Sequence, residues 1–222
     1  VEFIDVNLGY MDADNPQDVR VVQVPEQSED TLILDGPLLP GHVFGVGRAQ
    51  SGEVAVYKLE NKAVAGECKL KHEGVGFNKP VRDTLDAAFE NFETLGSRVA
   101  PGMHIASKDY LLFYNDLQGK GLSDEISLAE FVGLCSAAAN RPVMAALAVP
   151  GILRVSGTMD EIRGLEDIMR VAKNAGAKRI VLPSACICDL QAVSPEIITG
   201  LSPVFYRNND PVDAAKKALD LQ

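Results

Sequence analysis

Hydrophobic and polar residues alternate along residues 41–71, which is the pattern of half-buried β strands. Ser51-Gly52 is a turn signal between the first two of three β-like runs. The pattern predicts an antiparallel meander with strands at residues 42–48, 53–60 and 63–71.

The next segment repeats its apolar residues every three to four positions, which predicts an amphipathic helix. Asn78 and Pro80 open this helix, and its apolar face consists of Val81, Leu85, Ala88, Phe92 and Leu95. Beyond it, apolar runs and helical patterns alternate. Strands are predicted at 110–114, within 143–156 (one or two), at 178–182 and at 204–206, and helices at 127–139, from Asp160 and from Pro211. The order of elements indicates an α+β fold from Gly41 onwards.

Residues 1–40 are polar and rich in turn formers, with one strand predicted at 19–24. We interpret them as a lead-in segment, with a preceding domain as its candidate origin, and residues 41–222 as the main domain. The chain begins with Val1 and contains no G-x-x-x-x-G-K phosphate loop. We therefore expect a C-terminal piece whose energy-coupling part lies elsewhere.

Composition and charge exclude several functional classes. The 222 residues are 46% hydrophobic and 23% charged, with a mean hydropathy of +0.03, which is typical of a globular protein with a substantial core. The net charge of −10 disfavours binding to nucleic-acid phosphates or acidic lipids. No apolar stretch approaches the roughly 20 residues of a membrane helix. We expect no nucleic-acid or membrane partner for this domain.

The cysteines are too few and too scattered for a disulfide framework, which favours a reducing cytoplasm. Cys186 and Cys188 form a close pair, but a closed zinc site needs about four ligands. We therefore expect no metal site and interpret all four thiols, including Cys68 and Cys135, as buried.

No catalytic motif stands out from the residues alone. His42, His72 and His104 lie in separate contexts without an acid or cysteine close in sequence, so structural roles are favoured. A Ser-His-Asp triad assembled in space stays open, but the chain has no G-x-S-x-G elbow. Gly45-Val46-Gly47 lacks the third glycine of a dinucleotide cradle and predicts a bent or closely packed strand.

A glycine-rich loop, residues 119–126, leads directly into the helix that begins at Ser127. A serine at a helix start either caps the helix or acts as a nucleophile in the partly positive field of the helix end. The residues alone leave both interpretations open.

Several runs in the chain resemble the proteolytic domain of Lon, the ATP-dependent serine peptidase with a Ser-Lys dyad. The resemblance extends from Gly41 to Leu221 and is ungapped from Gly151 to Pro183. It is carried by Asn140-Arg141-Pro142-Val143, Gly164-Leu165, Ala175-Gly176-Ala177-Lys178-Arg179 and Val181-Leu182-Pro183. The runs 40–43, 177–183 and 210–214 are closer still to the Lon-like proteins of BREX phage-defence systems.

The resemblance implies two alternative positions for the nucleophile. Active Lon carries it in a D-G-P-S-A-G run, and the similar run here, residues 124–129, places Ser127 there if the following helix is two residues shorter. Counting back without a gap from Arg141 places Glu125 there instead.

The resemblance also places Glu166 where active Lon has its lysine, after a G-G-L run that reads Arg163-Gly164-Leu165 here. A dyad lysine accepts the serine proton as a neutral amine in a desolvated pocket. Glutamate is a much weaker base, and its negative charge repels the oxyanion of acyl transfer. Lys173 lies about 10 Å further along the helix, which leaves Lys120 as the nearest replacement.

We therefore expect a Lon-type fold with a degenerate dyad at Ser127 and Glu166, retained for ring assembly or docking. The resemblance implies a cytoplasmic hexameric parent protein whose N-terminal AAA+ motor binds ATP and Mg²⁺, with no cofactor in this domain. It further implies a polypeptide or protein partner and a role in phage defence, with DNA handled by other domains. Two alternatives stay open: an active ATP-dependent serine endopeptidase using Ser127, and a fold whose pocket binds a peptide or partner.

Overall fold

The computed structural model describes residues 31–221, which contain a seven-stranded mixed sheet. The strands are β1 (His42–Arg48), β2 (Val54–Ala65), β3 (Leu70–Glu73), β4 (Lys108–Asp116), β5 (Leu147–Pro150), β6 (Arg179–Pro183) and β7 (Ser202–Tyr206). Their order across the sheet is β3-β4-β2-β1-β5-β6-β7. The pairs β1–β2 and β2–β4 are antiparallel, and the other pairs are parallel.

Helices cover both faces of the sheet. They are α1 (Lys79–Leu95), α2 (Ser127–Ala139), α3 (Leu165–Asn174), α4 (Cys186–Asp189), α5 (Pro195–Ile198) and α6 (Pro211–Ala218). The larger core lies between one face and α1, α2 and α6, whereas α3, α4 and α5 contribute to a second core on the other face. Within residues 31–221, every helix is too short or too polar to span a bilayer.

The α+β fold class is confirmed, but the run at 63–71 does not form one strand. It divides between β2 and β3, and β3 pairs in parallel with β4. The division lies where Cys68 has a positive φ of 63°. There the Asp109 carboxylate accepts the N–H groups of Glu67 and Lys69 at 2.8 and 3.0 Å. These side-chain bonds hold a turn where the alternation predicts a continuous strand.

The helix expected to start at Asp160 begins five residues later, at Leu165. Asp160 does not cap it, because its carboxylate pairs with the side chain of Arg154. Gly164, immediately before the helix, has a left-handed φ of 66°. Residues 151–163 therefore form a long loop, and the strand predicted within 143–156 is limited to β5.

Residues 32–40 belong to the same compact unit as the sheet. Ile33 is fully buried in the second core, and its N–H donates to the carbonyl of Ala175 at 2.8 Å. Asp35 forms an ion pair with Lys178. The strand predicted at 19–24 lies outside the described residues, and a preceding domain as the origin of residues 1–30 stays a prediction.

Two glycines in β1 let the start of α2 approach the sheet closely. A Cβ atom on Gly45 would lie 3.2 Å from the Cβ of Ala129, and one on Gly47 would lie 2.8 Å from Oγ of Ser123. The distance at Gly47 is shorter than real Cβ atoms show, and the distance at Gly45 is tighter than most, so the predicted close packing of this strand is confirmed.

Candidate functional site

Two hydrogen bonds join the first turn of α2 to the loop that follows β5. The N–H of Leu128 donates to the carbonyl of Gly151 at 3.2 Å, and the N–H of Leu153 donates to Oγ of Ser127 at 2.7 Å. The first amides of a helix lack partners within the helix, so a nearby carbonyl satisfies one of them here. Ser127 is fully buried, and its hydroxyl holds the loop against the helix.

A cleft of about 480 Å³ opens beside this junction. Its charged lining consists of four carboxylates and two guanidinium groups, and no lysine of residues 31–221 contributes to it. The cleft is lined by Val46, Thr84, Asp124, Glu125, Gly151, Ile152, Arg154, Asp160, Glu161, Ile162, Arg163 and Ile168. Neither Ser127 nor Glu166 is part of this lining.

Glu125 lies in the cleft wall and is held by the end of β1. Its Oε2 accepts the N–H of Arg48 at 2.9 Å. The hydroxyl of Ser123 donates to the carbonyl of Arg48 at 2.8 Å and accepts the N–H of Glu125 at 3.1 Å. Of the two positions that the sequence allows for the nucleophile, Glu125 faces the cleft and Ser127 faces the core.

An arginine–carboxylate pair and a buried asparagine stabilise the loop on the other side of the cleft. Nε of Arg154 donates to Oδ1 of Asp160 at 3.0 Å, and Nη2 of Arg154 contacts the second oxygen. Hydrogen bonding from this guanidinium lowers the pKa of Asp160. Nδ2 of the buried Asn91 in α1 donates to the carbonyl of Arg154 at 2.8 Å. The loop is thereby fixed both to itself and to α1.

Glu166 lies in the first turn of α3, where a carboxylate is favoured by the helix dipole. Its Oε1 accepts a hydrogen bond from Nη2 of Arg170 at 3.0 Å, one turn further along the helix. Both side chains are more than one-third exposed. Glu166 is therefore part of a solvent-exposed ion pair on the helix surface.

The two lysines considered as replacements have other partners. Nζ of Lys120 lies 3.4 Å from Oε1 of Glu53. Nζ of Lys173 donates to the carbonyl of Glu196. The structure brings neither amine to the hydroxyl of Ser127.

The remaining candidate residues lie outside the cleft lining. Nε2 of His72 is 2.9 Å from Oδ1 of Asp86, a hydrogen-bond partner on α1 that is distant in sequence. Cys135 and Cys186 are buried and Cys68 is half-buried, but Cys188 is exposed, which corrects the expectation of four buried thiols. Cys186 and Cys188 lie on α4, because residues 186–189 form a helical turn.

Sequence reasoning missed a buried polar pair between α2 and β2. Glu130 is fully buried, and its Oε2 accepts a hydrogen bond from Nδ2 of Asn61 at 3.0 Å. Burial raises the pKa of Glu130 to about 8, so its carboxyl group is largely protonated at neutral pH. The sequence feature that could have indicated this burial is the position of Glu130 between the apolar residues Ala129 and Phe131.

Comparison with known proteins identifies the fold. Residues 120–219 match the family of the Lon protease (S16) C-terminal proteolytic domain. The similarity to this family extends over these residues, which are slightly less than half of the chain. The matched segment of the Lon-type domain includes α2, the loop 151–163 and α3 through α6.

Two bacterial relatives match along almost the entire chain. The chain is 35% identical over 222 residues to the Lon-like protease BrxL of Bacillus cereus (strain H3081.97), and these residues cover 32% of that protein. It is 33% identical over 219 residues, or 99% of the chain, to the Lon-like protease BrxL of Escherichia coli O9:H4 (strain HS), covering 31% of it. The chain therefore spans about a third of the length of these relatives.

A third relative is eukaryotic. The mitochondrial Lon protease homolog of Yarrowia lipolytica (strain CLIB 122 / E 150) is 31% identical over 206 residues, covering 90% of this chain and 17% of that protein. The resemblance to Lon and to the Lon-like protein of BREX systems is thus confirmed.

Proposed function

We propose that this chain is a Lon-type proteolytic domain without peptidase chemistry, retained for assembly or docking within a larger ATP-dependent protein. In this proposal the parent is a cytoplasmic AAA+ ring, with hexameric symmetry, that acts in phage defence. ATP and Mg²⁺ bind to its motor, outside this chain, and this domain contributes a protein-binding surface.

The charge of the cleft is the observation that carries the proposal. Acyl transfer by a Ser-Lys dyad needs a neutral amine beside the hydroxyl and donors for the developing oxyanion. The cleft instead holds Asp124, Glu125, Asp160 and Glu161 and, within residues 31–221, lacks a lysine. Arg154 and Arg163 offset two of these four charges, and Arg154 is already bonded to Asp160. The lining keeps two more carboxylates than guanidinium groups, and this excess disfavours an additional negative charge.

The positions of the two dyad candidates support the same conclusion. The Ser127 hydroxyl is buried and engaged by a backbone amide, so it is not presented to a substrate in the cleft. In the ungapped alternative the nucleophile is replaced by Glu125, a carboxylate held by the N–H of Arg48. Glu166 at the lysine position is paired with Arg170. Each alternative lacks a serine–amine pair.

The first experiment measures cleavage of an unfolded, fluorescently labelled polypeptide by the ATP-supplied parent protein. We expect no cleavage above background for the natural protein and no change for Ser127→Ala. ATP hydrolysis is measured in parallel so that an inactive preparation is recognised. Cleavage that disappears in Ser127→Ala would contradict the proposal and establish the alternative, an active serine endopeptidase.

Two reconstruction variants distinguish the positions of the lost nucleophile. Glu166→Lys alone restores the lysine of a dyad that uses Ser127. Glu125→Ser combined with Glu166→Lys restores both the serine and the lysine of a dyad whose nucleophile lies at residue 125. We expect any regained cleavage to require the double variant, because Glu125 lines the cleft and Ser127 does not. Cleavage by Glu166→Lys alone would instead assign the nucleophile position to Ser127.

The docking role is tested in cells that carry the complete defence system. Glu166→Gln is expected to leave phage resistance within about twofold of the natural protein, because Glu166 performs no chemistry in this proposal. Deletion of residues 41–222 is expected to abolish resistance and to disrupt the ring. Normal resistance after this deletion would remove the proposed role of the domain.

A further inference from the structure

Residues 31–221 cover one face of the sheet for only part of its width. On this face α3 packs over the side chains of β1, β5 and β6 and over Val54 and Val56 at the start of β2. The cover ends before β4. There Leu111 and Phe113 point outward and remain 37% and 45% exposed, whereas Tyr110 and Leu112 point into the opposite core.

The strand register arranges the uncovered area into two parallel rows. Leu111 is paired with Lys62 of β2 on one side and with Lys71 of β3 on the other. We call these three residues the basic row. One pleat further along, the acidic row consists of Phe113 between Glu60 and Glu73. Residues two apart on a strand share a face, so both rows lie on the same surface, about 7 Å apart.

The charges of the two rows are largely unpaired within the chain. Across residues 31–221, Lys62, Lys71 and Glu73 form no ion pair, and all three are exposed. Glu60 is bonded to Lys58 at 2.6 Å. Each row therefore presents an apolar side chain between two like charges, and the two rows have opposite signs.

We propose that this surface binds a second copy of the same chain across a two-fold axis. An axis that lies across the strands, midway between the rows, brings the basic row of each protomer over the acidic row of its partner. Lys62 then faces the partner's Glu60, Lys71 faces the partner's Glu73, and Leu111 faces the partner's Phe113. Isologous contacts require a self-complementary surface of this kind. The contact is separate from the cleft and from ring formation by other surfaces.

Paired charge reversals test this arrangement in the intact protein. Variant A carries Lys62→Glu and Lys71→Glu, and variant B carries Glu60→Lys and Glu73→Lys. Sedimentation velocity is expected to show that each variant alone has half the particle mass of the natural protein, with self-association at least about tenfold weaker, because like charges then face each other. A mixture of A and B is expected to recover the full mass, since each acidic pair again faces a basic pair.

The matched control reverses two exposed cations outside the rows, Lys79→Glu and Arg98→Glu, and is expected to associate like the natural protein. Raising the salt concentration from about 0.1 to 1 M should weaken the natural contact, because salt screens exposed charges. The proposal is overturned if A and B keep the natural particle mass, if their mixture does not recover it, or if the natural protein lacks two-fold association at this face.

Discussion

The backbone amide of Leu153 donates a 2.7 Å hydrogen bond to Oγ of Ser127, and both residues are buried. This bond joins the loop of the cleft wall to the first residue of α2. The hydroxyl that the family resemblance offered as a nucleophile is therefore part of the connection between two structural elements.

Ser127→Ala is expected to destabilise the protein by about 1–3 kcal/mol, because the buried Leu153 amide loses its acceptor. Denaturant unfolding measures the change. Ser107→Ala, which removes an exposed hydroxyl, serves as the control and should change stability by less than about 0.5 kcal/mol. Equal stabilities of the two variants would show that the buried bond makes no contribution.

Asn91→Ala is expected to loosen the outer wall of the cleft, because the carbonyl of Arg154 loses the donor that fixes it to α1. Faster hydrogen exchange is expected at Gly157, whose N–H bonds to that same carbonyl at 2.9 Å. In the control Thr94→Ala, the lost hydroxyl bonds within α1 alone. Unchanged exchange at Gly157 in Asn91→Ala would contradict the role of this asparagine.

Glu130→Gln is expected to flatten the dependence of stability on pH. The pKa of Glu130 is raised to about 8 in the folded protein from 4.5. Below pH 4.5 both states are protonated, but between pH 4.5 and 8 the unfolded chain releases the proton and the folded protein keeps it. Stability is therefore lost as the pH rises through this window, and the loss is complete above pH 8.

Unfolding at pH 5 and at pH 9 measures this effect. Glu130→Gln keeps an acceptor for Asn61 but cannot ionise, so its stability should fall less over this range than that of the natural protein. Glu90→Gln, on the exposed side of α1, is the matched control and should keep the natural pH dependence. An identical profile for Glu130→Gln would indicate that the buried carboxyl group does not titrate as proposed.

Gly41→Ala is expected to cost on the order of 3 kcal/mol, because strain and overlap act together. Gly41 has a φ of 88°, and a Cβ atom there would lie 1.9 Å from the carbonyl oxygen of Asn61. Gly52 has a similar φ of 91°, and the described part of the chain places no atom within 4 Å of its Cβ position. Gly52→Ala therefore reports the backbone strain alone, about 1–2 kcal/mol, and the difference between the variants reports the overlap.

Local sequence patterns correctly predicted the helices whose ends are set by residues close to them in sequence. The helix at 127–139 matches α2, and the closing helix begins at Pro211 because the side chain of Asp210 accepts the N–H of Asp213. The turn within 63–71 was not predictable from the run itself. It depends on the carboxylate of Asp109, about forty residues away along the chain.

The chemistry of the site was less predictable because it depends on contacts that are distant in sequence. The resemblance to Lon located the segment, but the direction of Ser127 is decided by an amide 26 residues later. The position of Glu125 depends on a backbone N–H 77 residues earlier. No local periodicity records either contact, so the sequence favoured Ser127 through the similar run and left Glu125 open through the ungapped count.

The bond between Ile33 and Ala175 has a mechanical consequence. Ile33 is bonded to the C-terminal end of α3. The N-terminal end of this helix lies about 15 Å away and comes directly after the loop that lines the cleft. A helix of this length transmits force as a stiff rod. Tension applied to the chain ahead of Ile33 would therefore act on α3 and, through it, on the loop that lines the cleft.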